Sequence, residues 1–216
     1  YLIIFIVLIL SLSRVASAQI VLGPQAARGV GHKIIVKKGA TITDTYFFTG
    51  PYVGNPSFID MPEYKQYYLQ VAIEFNLQGG TMNLPTADMT SNNFTARLNG
   101  LTATSSWGTG SLNVYLYDMG DDTENGNVHY SDFNSTRGSF IAYRTHVIGG
   151  ARAIFNNVDV TEAIRNDLGI GQIDFSGFIL KSSDAAGVQT VRFNTDPTLT
   201  IYPSSGGGCF IATAAR

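Results

Sequence analysis

Oxygen-bearing side chains are most concentrated in one short stretch, residues 118–127, DMGDDTENGN. Calcium takes about six to eight oxygen ligands, and a carboxylate-rich loop beside a strand end can supply them. The spacing does not match the EF-hand pattern D-x-[DN]-x-[DN]-G, so a merely solvated acidic loop is the alternative. The candidate ligands of the predicted calcium site are Asp118, Asp121, Asp122, Glu124 and Asn125.

Aromatic side chains form a second group with possible binding chemistry. In the stretch 112–117, LNVYLY, aliphatic residues alternate with Asn113, Tyr115 and Tyr117, so a strand would place these three on one face. Exposed rings beside an amide can stack on a sugar ring, whereas a loop or helix that covers this face is the alternative. The candidate ligand-binding residues are Trp107, Asn113, Tyr115 and Tyr117.

Catalytic motifs give little support to an enzyme. The sequence has no G-x-S-x-G element, and His32, His129 and His146 lack the spacing of metal ligands. Two carboxylates from distant strands, about 5–10 Å apart, would favour a glycoside hydrolase, whereas a flat aromatic platform would favour binding. We therefore predict a non-catalytic protein, with a saccharide-binding module or a hydrolase as the alternative.

Composition limits the classes of partner and the means of stabilisation. Charged residues make up 14% of the 216 residues, against about 25% in an average globular protein. The formal net charge of −2 gives no long-range attraction to nucleic acid. The single cysteine, Cys209, excludes an intramolecular disulfide, so the fold depends on its apolar core.

The first eighteen residues, YLIIFIVLILSLSRVASA, are typical of an export signal. The apolar run is short for a membrane span, and Ala16, Ser17 and Ala18 match an A-x-A cleavage site. We expect cleavage after Ala18, so that the mature chain begins at Gln19; a buried N-terminal helix is the alternative. The chain begins with Tyr1 rather than Met, which leads us to expect a fragment.

The elements that position these residues are mostly strands. The stretch 67–77, YYLQVAIEFNL, alternates strictly and predicts a half-buried central strand with one apolar face. Several shorter alternating runs follow, and a Pro/Gly-rich loop is predicted over 50–62. One helix is predicted over 160–168, with Asp159 and Glu162 as a capping box and Gly169 at its end.

This pattern predicts an all-β fold, a two-sheet antiparallel sandwich of jelly-roll type with one short helix. We expect a signal peptide over 1–18, a linker over 19–33, the sandwich over 34–203 and a Gly-rich tether with a sorting tail over 204–216.

Several segments resemble those of a known family. In order these are DTY at 44–46, the strand ending EFNL, LNVYLYD, VDVTEAI and the closing VRFNTDPTLTIY. They resemble the secreted jelly-roll modules called DNRLRE domains, which implies a non-catalytic part of an exported surface protein, in some members a carbohydrate binder.

The end of the chain resembles a second signal. GGGCFIATAA at 206–215 is similar to the CFI-box of exported bacterial proteins, which implies sorting, processing or anchoring near Cys209. That family continues beyond this point, so we expect the C-terminus to be truncated as well. A frayed tail with an inert cysteine is the alternative.

Together these observations predict an extracellular or cell-surface module with a structural or adhesive role. Its expected partner is a surface or extracellular polysaccharide, and we expect no nucleic acid. Membrane attachment would come only through C-terminal processing.

The calcium hypothesis predicts a higher melting temperature in calcium. A ligand that binds the folded chain alone stabilises it through linkage. Thermal unfolding of chelator-treated protein, with and without millimolar calcium, measures the effect. An unchanged melting temperature would remove the hypothesis.

Overall fold

The computed structural model describes residues 19–37, 40–48, 50–54, 57–60, 63–77, 94–119, 126–128, 138–169, 175–182 and 189–203. These residues form the strands β1 (Ile20–Leu22), β2 (Ala26–Lys37), β3 (Ala40–Phe48), β4 (Tyr52–Gly54), β5 (Ser57–Asp60), β6 (Glu63–Asn76), β7 (Phe94–Asn99), β8 (Leu101–Trp107), β9 (Ser111–Asp118), β10 (Phe140–Val147), β11 (Ile154–Phe155), β12 (Val158–Asp159), β13 (Phe175–Ser182), β14 (Thr190–Phe193) and β15 (Thr198–Pro203). The helix α1 (Thr161–Gly169) lies between β12 and β13. Within this described part, no helix is long and apolar enough to cross a membrane.

Two antiparallel sheets enclose the main core. The smaller sheet has the strand order β1-β15-β7-β12, and the larger has the order β10-β9-β13-β6-β4-β14-β8-β11. In the larger sheet β2 and β5 also pair with β6, and β3 pairs with β2. β4 joins the two halves of the larger sheet because it pairs with β6 on one side and β14 on the other. The predicted all-β, two-sheet antiparallel sandwich with one short helix is confirmed.

The central strand β6 is buried on both faces in its C-terminal half. Val71, Ile73 and Phe75 point into the main core and have no exposed surface. Ala72 and Glu74, on the opposite face, are equally buried. The prediction of a half-buried strand is therefore wrong for this half of β6.

A second apolar cluster covers this outer face. Met119 and Val128 pack there with Ala72 and Ile179. The Glu74 Oε2 atom accepts a hydrogen bond of 2.5 Å from the amide of Gly126. This bond fixes residues 126–128 against β6, which explains why a polar side chain on the outer face is buried.

Three pairs of consecutive strands bend at the same level of the sandwich. Gly100 alone, with φ of 73°, separates β7 from β8, and Asn157, with φ of 53°, lies between β11 and β12. Residues 194–197 separate β14 from β15. Because β7 pairs with β12 and β15 while β8 pairs with β11 and β14, the bends align and form one corner.

Asparagine side chains bind the backbone at this corner. Asn194 accepts a hydrogen bond from the amide of Thr102 at 2.7 Å and donates one to the carbonyl of Gly100 at 2.8 Å. The Asn156 Oδ1 atom accepts from the amide of Gly100 at 3.2 Å. A bend interrupts the regular ladder, and these amide groups replace the lost peptide partners.

Two stretches form strands where the sequence predicts irregular structure. The predicted linker over 19–33 contains β1 and the start of β2, which pair with β15 and β6. The predicted loop over 50–62 contains β4 and β5, which also pair with β6. Gly, Ala and Pro make these stretches locally poor strand formers, but pairing with a longer strand overrides local preference.

The predicted N-cap Asp159 begins the helix, whereas Glu162, the other predicted member of the capping box, forms an ion pair of 3.6 Å with Arg165. The Asp159 Oδ1 atom accepts a hydrogen bond of 3.0 Å from the amide of Thr161, and Asp159 forms an ion pair of 3.3 Å with Arg97 on β7. Hydrogen bonds from Thr161 lower the pKa of the Asp159 carboxyl, and the charges of Arg97 and Arg165 lower it further. The predicted bounds, 160–168, differ from α1 by one residue at each end.

Replacing Ile73 by Asp should unfold the domain. The change buries an unpaired charge at a fully buried position of β6, with an expected loss of more than about 4 kcal/mol. Circular dichroism during thermal unfolding measures the loss, and Thr95→Asp on exposed β7 surface is the control. A soluble Ile73→Asp protein with the native melting temperature would contradict the described core.

Replacing Asn194 by Ala should destabilise the corner by about 1–3 kcal/mol, because Thr102 and Gly100 each lose a hydrogen-bond partner. Urea unfolding gives the free energy. Asn166→Ala, on the exposed surface of α1, is the matched control and should change stability by less than about 0.5 kcal/mol. Equal losses in the two variants would contradict a specific role of Asn194.

Candidate functional site

Four aromatic rings form one cluster on the outer face of β9 and β10. The cluster, called the aromatic patch, consists of Tyr115 and Tyr117 on β9 and Phe140 and Tyr143 on β10. Tyr115 stacks on Tyr143 with ring centroids 5.9 Å apart, and Tyr117 meets Phe140 edge to face at 5.8 Å. Phe140 and Tyr143 remain 53% and 55% exposed. The patch therefore offers a continuous ring surface to solvent.

Strand alternation and cross-strand register build the β9 half of the patch. Leu112, Val114 and Leu116 point into the core, so the intervening residues point outward. On β10, Tyr143 lies opposite Tyr115 and Phe140 lies opposite Tyr117.

A β-bulge brings Phe140 and Tyr143 onto the same face. The two residues are three positions apart, which strict alternation would assign to opposite faces. The register shifts between Phe140 and Ala142, so Ile141 packs against the core and Phe140 turns outward. Sequence reasoning missed both residues, because an inserted strand residue leaves no clear signal in an alternating pattern.

Polar groups adjoin the rings on the same face. Asn113 accepts a hydrogen bond of 2.7 Å from the hydroxyl of Thr145 across the β9–β10 pair. On the other side, β13 places Lys181 opposite Tyr115, and the Lys181 ammonium lies 5.5 Å from the Tyr117 ring centroid. The patch thus combines apolar ring area with an amide, a hydroxyl and a cation.

Three of the four predicted ligand-binding residues are brought together. Asn113, Tyr115 and Tyr117 share the outer face of β9, whereas Trp107 lies at the end of β8, paired with Thr190 of β14. Trp107 is 74% exposed and stands apart from the patch in the strand order of the larger sheet. It is therefore a useful reference residue, exposed and aromatic but outside the patch.

The two alternatives for the outer face apply to different parts of it. Around β6 and β13 the face is covered, as the cluster of Ala72, Met119, Val128 and Ile179 shows. At β10 the rings of Phe140 and Tyr143 remain exposed, whereas Tyr115 and Tyr117 on β9 are half-buried and Tyr117 packs against the covering cluster. β10 ends the strand order of the larger sheet in the described part of the chain.

The calcium prediction falls largely outside the described residues. Asp121, Asp122, Glu124 and Asn125 lie there, whereas Asp118 is described at the end of β9 and is 5% exposed. Among the residues that the structure describes, no group of three or more His, Cys, Asp or Glu side chains is placed to hold a metal. The calcium site remains a prediction.

Glu74 is a buried carboxylate whose structural role sequence reasoning missed. It accepts a hydrogen bond from the amide of Gly126, which directly follows the last candidate calcium ligand, Asn125, and Gly126 has φ of 82°, which favours glycine. The signal in the sequence is a single carboxylate within the otherwise uncharged stretch 71–77, VAIEFNL. Its role could be recognised only once residues 126–128 were seen to pack against β6.

The predicted processing residues lie at or beyond the ends of the described chain. Ala18 and Cys209 are outside the described residues, and Gln19 is exposed just before β1. No protein-family model matches the sequence, and comparison with curated proteins gives no match.

Proposed function

We propose that this chain is an exported, non-catalytic β-sandwich module whose aromatic patch binds a polysaccharide at the cell surface or outside the cell. The observation that supports this proposal most strongly is the exposure of Phe140 and Tyr143 within one ring cluster. Exposed apolar area that is contiguous and rimmed by polar groups is typical of a binding surface.

The shape of the patch suits an extended chain of sugars. The rings form two cross-strand pairs, Tyr115 with Tyr143 and Tyr117 with Phe140, separated by two residues along β9, or roughly 7 Å. Sugar rings present C–H groups on their flat faces and hydroxyls around their edges. The aromatic faces can contact the C–H groups, and the side chains of Asn113, Thr145 and Lys181 carry groups that can form hydrogen bonds with the hydroxyls.

Charge favours a saccharide over single-stranded nucleic acid. Both ligands can stack on aromatic side chains, but nucleic-acid binding also requires a basic groove along the phosphate backbone. The net charge is −2, and Lys181 is the cation that approaches a ring of the patch in the described residues. A slightly negative chain with one lysine beside the rings is suited to a neutral or weakly acidic polysaccharide.

The sequence supports export and surface attachment. Residues 1–18 have the pattern of a signal peptide with cleavage before Gln19, and residues 206–215 resemble a CFI-box with Cys209 at its start. The resemblance to DNRLRE modules likewise favours an exported, adhesive role. Residues 204–208, SSGGG, would then tether the sandwich to its attachment point.

Replacing the two most exposed rings should abolish most of the binding while leaving the fold intact. Each stacked ring contributes about 0.5–1.5 kcal/mol, so Phe140→Ser with Tyr143→Ser should weaken binding by about 5- to 150-fold. The measurement is depletion from solution by cellulose, chitin, β-1,3-glucan, starch and peptidoglycan.

Trp107→Ser is the matched control, since it removes an aromatic ring that is even more exposed than those of Phe140 and Tyr143 but lies outside the patch. It should bind as the native protein does. Binding that depends on Trp107 and not on the patch would contradict the proposed site, and failure to bind any polysaccharide would contradict the proposed ligand class.

A further inference from the structure

His146 is a buried histidine behind the aromatic patch. It lies on the inner face of β10, opposite Leu112 of β9, and is 3% exposed. Its Nδ1 atom accepts a hydrogen bond of 3.3 Å from the amide of Ala153. An amide can only donate, so Nδ1 must be unprotonated and the imidazole is neutral with its proton on Nε2.

This hydrogen bond belongs to the connection between β10 and β11, the two end strands in the order of the larger sheet. Beyond β10 the chain crosses to β11, which pairs with β8. Val147 and Ala151 are joined by a backbone hydrogen bond of 2.8 Å, and the Ala153 carbonyl accepts from the amide of Ala103 at 3.0 Å. The Arg144 Nε atom donates to the carbonyl of Ile154 at 3.1 Å. Among the side chains that make these hydrogen bonds, His146 is the one whose charge can change between neutral and acidic pH.

We propose that protonation of His146 releases the C-terminal half of β10 from residues 151–154 and thereby weakens ligand binding at the aromatic patch. The link to binding rests on the proposed function of the patch, whereas the release of β10 does not.

Protonation is incompatible with the observed geometry. It converts Nδ1 from an acceptor into a donor that faces the Ala153 amide, so the hydrogen bond is lost and two N–H groups oppose each other. The same step places a positive charge inside the sandwich. The Nε2 atom has no hydrogen-bond partner among the described residues, so the added charge gains no compensating contact there.

The charged groups near His146 oppose protonation as well. Residues 151–153 contribute Arg152, and β10 itself contributes Arg144, whose guanidinium lies 5.4 Å from the Phe155 ring centroid. β9 presents apolar Leu112 opposite His146, and β8 and β11 have no charged residue. Burial lowers the pKa of His146 below its ordinary value of 6.5, and the charge of Arg152 lowers it further.

The sign of the pH effect follows from this shift. An opened segment restores the ordinary pKa, so it binds more protons than the closed one, and acid favours opening. The closed form is fully stable above pH 6.5 and loses stability as the pH falls toward the lowered pKa.

Two features couple this segment to the patch. Tyr143, which stacks on Tyr115, lies three residues before His146 on the same strand. β10 also ends the strand order of the larger sheet in the described chain, where it pairs with β9 alone. Loosening of residues 144–147 therefore removes support from half of the ring surface.

Hydrogen exchange of the whole chain tests the release without any ligand. Between about pH 7.5 and 5.5, protection of residues 143–153, corrected for intrinsic exchange, should fall by up to about tenfold per pH unit once the pH drops below 6.5, and should level off below the lowered pKa of folded His146. In His146→Asn, whose Oδ1 can accept near the Nδ1 position without titrating, protection should not change.

Arg152→Gln is a surface variant that keeps the test independent of core packing. Without this positive charge, the pKa of folded His146 moves back toward 6.5, so the total fall in protection should be smaller than in the native protein. The same pH response in His146→Asn as in the native protein, or an undiminished fall in Arg152→Gln, would overturn the proposed release.

Binding is then measured on the polysaccharide that the native protein binds best among cellulose, chitin, β-1,3-glucan, starch and peptidoglycan. Native protein should bind several-fold more weakly at about pH 5.5 than at 7.5, and His146→Asn equally at both. Release without a change in binding would overturn the regulation of the patch. Absence of binding at either pH would instead refute the proposed function and leave the exchange result to decide the release.

Discussion

The burial of β6 on both faces is the constraint on which the rest of the structure depends. One face needs the smaller sheet and β8, β11 and β14 to cover Val71, Ile73 and Phe75, and this need determines the sandwich. The other face is closed by a small cluster around Ala72, which Glu74 stabilises through its bond to Gly126. That second cover reaches the C-terminal end of β9, where Tyr117 packs against it, and leaves Phe140 and Tyr143 of β10 exposed. The aromatic patch is therefore the part of the outer face that the chain leaves accessible.

Side chains that bind the backbone hold the sandwich where its strands change direction. At the corner between the sheets, Asn99, Asn156 and Asn194 replace ladder hydrogen bonds that the bends interrupt. At the crossing from β10 to β11, Arg144 and His146 do the same. With one cysteine in the chain, no internal disulfide can supply this restraint. Among these side chains His146 is the one whose charge changes in acid, because burial and the charge of Arg152 lower its pKa below the ordinary value of 6.5.

Alternation and capping rules predicted the parts of the fold that depend on local pattern. Alternation correctly predicts that Leu112, Val114 and Leu116 of β9 are buried. The position of Asp159 correctly predicts where the helix begins. The strands at β1 and β2 could not be predicted, because their pairing with distant partners outweighs a Gly- and Ala-rich composition. The sequence predicted only part of the aromatic patch. Tyr115 and Tyr117 follow from strand alternation, whereas the shared face of Phe140 and Tyr143 depends on a bulge. Trp107 was predicted as part of the same site, but the order of strands separates it from the patch.

Hydroxyl-radical footprinting tests the central claim most directly, since it measures the accessibility of individual aromatic side chains. The protein is labelled free in solution and on the polysaccharide that it binds best, and oxidation is quantified for each residue. The account predicts that binding protects Phe140 and Tyr143, while Trp107, which is 74% exposed, keeps its oxidation rate. Protection of Trp107 with unchanged oxidation of Phe140 and Tyr143 would contradict the assignment of the aromatic patch as the binding surface.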